Sequence, residues 1–369
     1  MKAKKISQAI EEIAPLHLAQ DWDNVGLLIG NAEKNVKNIL LTIDVTKSVL
    51  AEARRNKVDM ILGYHPVIWD GLRQITTQGP ENLIYELIKS NIAVYSIHTA
   101  LDAAAGGVND ALADIIGIEN PEPIGDFVSA QPQAGYKLVV FIPAESVNIV
   151  ADAIFEAGAG TMGNYSHCGF QATGEGSFLP HKGARPAIGK QGRIERVNEV
   201  RFETIVSAEK LGNVVEAMKN VHPYEEPAFD IFRTYPYQKI GLGKMGGLRE
   251  PEGLGRIIGR IKKTTGAAAM GFVGRQNKTI TKAAVCAGSC GKIINSVIAA
   301  GCDLYLTGEL KHHQALAAKE ADVTCICLSH SVSERFILKK LAKQLRRRLN
   351  NIKIQVSRKD SDPFEWKKI

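Results

Sequence analysis

No stretch of this 369-residue chain approaches the roughly 18 consecutive apolar residues that a bilayer span requires. The N-terminal region, Met1 to Pro15, mixes Lys2, Lys4, Lys5, Glu11 and Glu12 with its apolar residues, so it lacks the uninterrupted core of a secretion signal. The expectation is a cytoplasmic protein with no membrane partner. Cysteine is sparse as well. Cys168, Cys286, Cys290, Cys302, Cys325 and Cys327 are too few in so long a chain to staple the fold, and cytosolic thiols stay reduced, so they are expected as free thiols or ligands. A composition of 45% hydrophobic and 23% charged residues excludes disorder and collagen-like repeats. Over this length it suits about two or three domains of ordinary size.

Acidic and basic residues balance except at one end. The formal net charge is +7, yet residues 331–369 hold twelve Lys/Arg against four Asp/Glu, while the rest of the chain holds 34 against 35. Phe336, Leu341, Leu345 and Leu349 recur there at helical spacing beside Lys339, Lys340, Lys343, Arg346, Arg347 and Arg348, which describes an amphipathic helix with a basic solvated face. A nucleic-acid patch is the alternative. Without interleaved aromatics or a base-reading motif, the charge argues for the solvated face.

Residues 38–43 and 58–63 are apolar, β-rich runs flanking a helical pattern at 48–55, a strand–helix–strand unit that demands a parallel pair and a right-handed crossover. Helix Asn82–Lys89 and a strand at 93–97 add a third unit. The same grammar returns as strand 282–286, a glycine loop, helix 292–300, strand 303–306, helix 312–319 and strand 324–328. The two ends read as halves of one α/β layer. Residues 58–65 resemble residues 302–309, which suggests a pseudo-symmetric core with its site in the seam, because open parallel sheets bind ligands outside the carboxyl ends of their strands. Between the halves, residues 136–141, 147–157, 199–206, 210–221 and 228–232 spell β, α, β, α, β with alternating polarity, the mark of a small domain with an antiparallel sheet. Pro/Gly-rich approaches at 121–126 and 234–247 bound it. The expected architecture is a two-lobed α/β core with mostly parallel sheets, residues 1–125 and 236–369, split by an inserted α+β domain at 126–235.

The sharpest constellation is Tyr64-His65-Pro66 after one strand, His98-x-x-x-Asp102 after the next, and His330-x-x-x-Glu334 after the last strand of the second half. Each stands at the carboxyl end of a predicted strand, where parallel strands deliver side chains to a common rim. Imidazole nitrogen and carboxylate oxygen suit divalent zinc, iron or manganese, at about one to two ions per chain for this ligand count. Taken singly, each His could instead cap a helix or bond a neighbouring backbone. Three such strand ends together favour a metal.

Several runs carry a resemblance to a known family: Trp22-Asp-Asn-Val-Gly-Leu-Leu-Ile-Gly30, Gly63-Tyr-His-Pro66, His98-Thr-Ala-Leu-Asp102, Gly160-Thr-Met-Gly-Asn-Tyr-Ser-His-Cys168, His222-Pro-Tyr-Glu-Glu-Pro227, Thr307-Gly-Glu309 and Ser329-His-Ser-Val-Ser-Glu334. Together they resemble the NGG-interacting-factor-three-like family, whose members are often catalogued as type 2 homologues of GTP cyclohydrolase 1. The resemblance covers nearly the whole chain and keeps its order. It implies a two-lobed α/β core, a dinuclear metal site in the cleft, an inserted domain similar to the PII and CutA folds, and ring-shaped homo-oligomers, typically hexamers. Carried over residue by residue, it implies His65, Asp102, His330 and Glu334 as metal ligands. Many bacterial members have a His-His pair where this chain has Tyr64-His65. A phenol with an ordinary pKa near 10 is a poorer ligand than imidazole, which puts a second ion in question unless His98 helps to supply it.

Other motifs weigh less. Gly241-Leu-Gly-Lys-Met-Gly246 fits a dinucleotide fingerprint but is followed by Arg249-Glu-Pro251 rather than a helix. Ala287-Gly-Ser-Cys-Gly-Lys292, between a strand and a helix, either holds a substrate anion on its N–H groups or is simply a tight turn. Cys286, Cys290, Cys325 and Cys327 suggest a zinc thiolate site, but Cys325 and Cys327 share one face of a buried strand, the usual place of a core cysteine. Residues 163–168 and 222–226 carry polar groups that either face another subunit's metal cleft or form structural loops. The leading functional reading is a metal-dependent hydrolase of a small heterocyclic or phosphorylated molecule, with Tyr64 or His98 handling protons. The alternative is a non-catalytic regulatory or scaffold protein, using its PII-like insertion and basic C-terminal helix for partner binding. An open, water-bearing coordination position separates the two.

Overall fold

The computed structural model describes residues 1–79, 81–127, 135–162, 165–234 and 240–365. The chain divides into two compact units, Met1–Ala130 with Lys239–Ile369, and Gln131–Gln238. Parts of two motifs noted above, residues 163–164 and 235–239, lie outside the described residues.

The chain opens with α1 (Ala3–Glu11), β1 (Gly26–Ile29), β2 (Asn38–Thr42), α2 (Lys47–Arg55), β3 (Met60–Gly63), α3 (Asn82–Lys89), β4 (Ala93–Ser96), α4 (His98–Ala103), α5 (Val108–Ile116) and β5 (Glu122–Phe127). The second unit follows as β6 (Tyr136–Pro143), α6 (Val147–Glu156), β7 (Gly169–Phe178), β8 (Glu195–Val206), α7 (Leu211–Val221) and β9 (Phe229–Arg233). The first unit resumes with β10 (Gly241–Gly253), α8 (Leu254–Thr265), β11 (Gly271–Val273), β12 (Thr279–Cys286), α9 (Ile294–Ala299), β13 (Leu304–Thr307), α10 (His312–Glu320), β14 (Thr324–Cys327), α11 (His330–Arg335), α12 (Ile337–Arg348) and β15 (Lys353–Val356).

The first unit holds two sheets built on one plan. The order is β1-β4-β3-β2-β15 in one and β11-β14-β13-β12-β10-β5 in the other. In each, three parallel strands carry an antiparallel strand beside the third, β1 on β4 and β11 on β14. The resemblance between residues 58–65 and 302–309 falls on β3 and β13, the middle strands of the two parallel trios. The expectation of one continuous layer is corrected: both outer edges of each trio are already paired, β15 covering β2 and β10 covering β12, which leaves no free trio edge at which the halves could join.

The continuous apolar character of these strands follows from burial on both faces. Ile39, Leu41, Met60 and Leu62 enter a core that also contains Val285, Leu304 and Leu306, while Leu40, Ile61 and Val94 pack against Val49, Leu50, Ala53, Ile84 and Leu87 of α2 and α3. Each such side chain contributes roughly 1.5–3 kcal/mol on burial. α2 starts where the Thr46 side chain accepts a hydrogen bond from the Val49 N–H, capping its first turn. α12 buries Ile337, Leu338, Leu341, Ala342 and Leu345; of its terminal arginines, Arg346 donates to the Ile354 carbonyl (2.7 Å) and Arg348 pairs with Glu12 (3.5 Å).

Gly241-x-Gly-x-x-Gly246 proves to be part of β10, where close backbone approach explains the glycines. A Cβ would stand 2.9 Å from the Gly125 carbonyl at Gly241 and 2.7 Å from Ile118 at Gly246. The expected helix at 292–300 is shorter, a 3-10 turn over Gly291–Ile293 leading into the six residues of α9. None of the six cysteines, each among the described residues, forms a disulfide. Burial pushes the Cys325 thiol up to about 12 and the Cys327 thiol up to about 11, so neither is a ready thiolate ligand.

The second unit is an antiparallel sheet of order β7-β8-β6-β9. Leu138, Val140, Ile142, Val200 and Phe202 on one face pack against Val150 and Ile154 of α6 and Val214 and Met218 of α7.

Candidate metal centre

The shared plan of the two sheets puts chemistry at matching strand ends. β3 is followed by Tyr64 and His65, and β13 by Gly308 and Glu309. β4 runs into α4, which presents His98 and Asp102, and β14 into α11, which presents His330 and Glu334. A spacing of four places each His and carboxylate on one helical face.

Three of the expected residues converge. Donor atoms of His65, His330 and Glu334 all lie within 4.8 Å of one another. His65 Nε2 is 3.3 Å from Glu334 Oε2, and His330 Nε2 is 3.3 Å from Glu334 Oε1. Each imidazole is held from behind by a carboxylate. His65 Nδ1 meets Asp44 at 2.8 Å, His330 Nδ1 meets Glu309 at 3.0 Å, and His98 Nδ1 meets Asp23 at 2.9 Å. Donating Nδ1–H to a carboxylate leaves the lone pair on Nε2, the arrangement that orients histidines toward metals.

Two atoms test whether a cation suits this group. His65 Nε2 and Glu334 Oε2 are buried and make no hydrogen bond despite their proximity. Such atoms cost about 1–3 kcal/mol each when left unmatched, and a divalent ion between them would remove that cost. Burial opposes charge on His65, but the carboxylates of Asp44 and Glu334 outweigh it and raise its pKa to about 10. Ion binding would therefore release a proton.

Asp102 is not one of these three donors, and its Oδ1 accepts the Tyr64 hydroxyl. Burial pushes the Asp102 carboxyl up to about 6, His98 opposing and Glu334 adding to the shift. Tyr64 is wholly buried, and burial together with Asp102 and Glu334 holds its phenol well above the usual range. In the folded chain its hydroxyl donates to Asp102. His98 lies beside the donors, its ring centre 5.1 Å from that of His65.

Gly288, at φ +69 just past β12, lines the centre: a Cβ there would meet Glu334 Oε1 at 2.7 Å. Its N–H donates to Ser333 Oγ (2.8 Å) and that of Ala287 to Asn109 Oδ1 (2.8 Å). These two amides of the glycine loop serve the fold rather than an anion. Two cavities have His330 in their walls. One of about 330 Å³ contains Trp22, Trp69, His98, Asp102, Lys292 and Glu334, and another of about 620 Å³ contains Asp44, His65, Glu309, Leu310, Asp362 and Phe364.

Sequence reasoning missed the carboxylates behind the imidazoles. Asp44 follows β2 as His65 follows β3, so the strand-end argument, extended by one strand, would have reached it. Asp23 and Glu309 stood within quoted motifs without an assigned part.

The family model of Duf34/NIF3 (NGG1p interacting factor 3) matches residues 1–363. The GTP cyclohydrolase 1 type 2 homolog of Bacillus subtilis (strain 168) is 35% identical over 372 residues, 99% of each chain. That of Mycobacterium tuberculosis is 35% identical over 334 residues, 89% of this chain and 87% of the other. Among solved structures, a Bacillus cereus protein related to NIF3 is similar with a TM-score of 0.77 at 34% identity over 99% of both chains. A Staphylococcus aureus protein is similar with a TM-score of 0.82 at 29% identity, again over 99% of both. A match over nearly the full length, in sequence and in fold, means that this chain belongs to the Duf34/NIF3 family.

Proposed function

We propose that the protein binds a divalent ion through His65, His330 and Glu334 and hydrolyses a small heterocyclic or phosphorylated molecule. The observation that supports this reading is the facing pair of buried, unbonded donors, His65 Nε2 and Glu334 Oε2, backed by carboxylate-held imidazoles. Two imidazoles and a carboxylate suit zinc, iron or manganese, and three protein ligands are the number that characterises sites with an open position. A bound ion would supply Lewis acidity that brings the pKa of a water toward neutrality.

The chain's own groups have separable parts. Asp44 and Glu309 orient the imidazoles, and Tyr64 fixes Asp102. His98, held by Asp23 and facing the smaller cavity, is the group placed to move a proton. Asp102 also offers a donor to a second ion, and His98 does so in place of its proton-moving part, since Asp23 leaves it only Nε2. The relatives' name makes GTP the first substrate to try, with formate as the product to detect.

Metal analysis of the purified protein should find about one to two ions per chain, and Ala at both His330 and Glu334 should abolish binding while leaving the circular dichroism spectrum unchanged. Unchanged metal content in that variant would refute the site. A metal-loaded protein inert toward GTP and a hydrolase substrate panel would favour the scaffold alternative.

A further inference from the structure

Trp22 and Trp69 are left 63% and 52% exposed, although the backbone that carries them is tied down. Asp23 accepts from His98 Nδ1 (2.9 Å), the Thr99 N–H (3.0 Å) and the Thr99 hydroxyl. The Gln20 N–H donates to Thr99 Oγ1 at 2.9 Å, and Asn24 Nδ2 donates to the Ile68 carbonyl at 2.7 Å. The loop bearing Trp22 is thus fastened to α4 on one side and to the loop bearing Trp69 on the other. Both indoles meet the His98 ring edge to face, with ring centres 5.8 and 5.3 Å away. Large aromatic faces held on a fixed backbone yet left to solvent are preorganised to stack on a ligand, since little freedom remains to be lost on binding.

The cavity beneath them, about 330 Å³, has Lys292 as its one lysine or arginine. Among the described residues Lys292 has no carboxylate partner. The larger cavity beyond His330 has Asp44, Glu309 and Asp362 in its wall and neither Lys nor Arg. The smaller cavity also has Asp102 and Glu334 in its wall, but of the two it alone offers an anion a cationic side chain, Lys292, and its volume lies at the low end of the roughly 300–1,000 Å³ typical of ligand sites. That size favours a mononucleotide over a dinucleotide.

We propose that this cavity is the subsite for a planar heterocycle carrying a phosphate. The ring stacks on Trp22 and Trp69, the phosphate meets Lys292, and the ring edge is brought to His98 and the donors beside it. The location of the reacting atoms rests on the hydrolase reading; the recognition of ring and phosphate is a separate claim.

The test uses the full-length, metal-replete protein with Trp366→Phe, which leaves Trp22 and Trp69 as its fluorophores. The probes are GMP, UMP and nicotinate mononucleotide, with guanosine as ring alone and ribose 5-phosphate as phosphate alone. At least one mononucleotide should quench the tryptophan emission saturably, and ribose 5-phosphate should not. By calorimetry, Trp22→Ala and Trp69→Ala should each weaken that mononucleotide about tenfold, the size of one base–aromatic stacking contact. Lys292→Ala should erase the preference for mononucleotide over nucleoside. Failure of all three mononucleotides to quench, or affinity unmoved by both tryptophan substitutions, overturns the proposal. Metal content is measured on every variant, so an intact ion count in those outcomes leaves the hydrolase reading standing, while its loss in the His330/Glu334 experiment is decided separately.

Discussion

Replacing Gly288 with Ala puts a methyl group into the candidate metal centre and little else. The built Cβ would lie 2.7 Å from Glu334 Oε1 and 3.5 Å from His330 Nε2, at a backbone φ of +69. Two effects are expected. A non-glycine residue in the left-handed region costs about 1–2 kcal/mol of folding stability. The contact itself can be relieved only by moving the Glu334 carboxylate, whose side chain is 3% exposed and has little room. Gly301 supplies the matched control, because its φ is +67 and no atom lies within 4 Å of its would-be Cβ. Gly301→Ala should lose about 1–2 kcal/mol in urea denaturation and bind zinc as the wild type does. Gly288→Ala should lose at least as much stability and also weaken zinc by about 10–100-fold, as disturbance of ligand orientation generally does. Zinc titration calorimetry on the two variants, with denaturation of each in chelator, separates the effects. Wild-type zinc affinity in Gly288→Ala would refute the placement of Glu334 as a ligand, and equal losses in both variants would show that strain rather than contact is responsible.

Four further expectations concern a carboxylate, a buried amide, the assembly and the C-terminal arginines. Glu52 accepts from the Ser357 hydroxyl (2.5 Å), the Arg358 N–H (3.1 Å) and the Lys359 N–H (3.3 Å); burial pushes its carboxyl up, but these bonds win and lower it. With the folded value below the ordinary 4.5, the stabilisation is complete above that pH and vanishes as pH falls through the folded value, so the protection of the 358 and 359 amides, taken relative to the intrinsic exchange rate at each pH, should fall on acidification and, in Glu52→Gln, already at neutral pH; unchanged protection would contradict this. Asn109→Ala orphans the Leu242 and Asp102 carbonyls and the Ala287 N–H, and should cost about 3 kcal/mol or more in urea denaturation, a loss under about 1 kcal/mol speaking against the network. Family membership leads us to propose a ring-shaped homo-oligomer, so sedimentation should give a trimer or larger, and a monomer at micromolar concentration would count against it. Ala at Arg346, Arg347 and Arg348 should alter stability or assembly without affecting duplex DNA, for which negligible affinity is expected at about 0.15 M salt; salt-dependent binding lost in that variant would reveal a nucleic-acid face.

Strands buried on both faces were legible because an unbroken apolar run bounded by turns has few other uses. β2, β3, β4, β13 and β14 fall within about two residues of their expected bounds. β7 was not legible. It spans ten residues with three glycines and no buried side chain, and at a sheet edge nothing forces the alternation that marks a strand. β10 hid behind a glycine spacing whose cause is the close approach of Ile118 and Gly125, a fact of tertiary packing. His65, His330 and Glu334 could be found because strand ends converge, whereas the partnership of Tyr64 with Asp102 depends on which way two buried side chains turn, and no spacing encodes that.

The interleaving of the sheets has a consequence for synthesis on the ribosome. β15, the last strand among the described residues, pairs with β2, placing Lys353 opposite Asn38, and Asp360 beyond it accepts from the Ile43 N–H and grips Arg335. The donors themselves come from opposite ends of the polypeptide, His65 early and His330 and Glu334 late. A nascent chain holding the first half alone therefore has an unsealed sheet edge and no complete set of donors. Capture of an ion by these three donors would therefore await synthesis of the segment from His330 to β15, and the time of any ion uptake in a pulse-labelling experiment would report when that segment joins the first half.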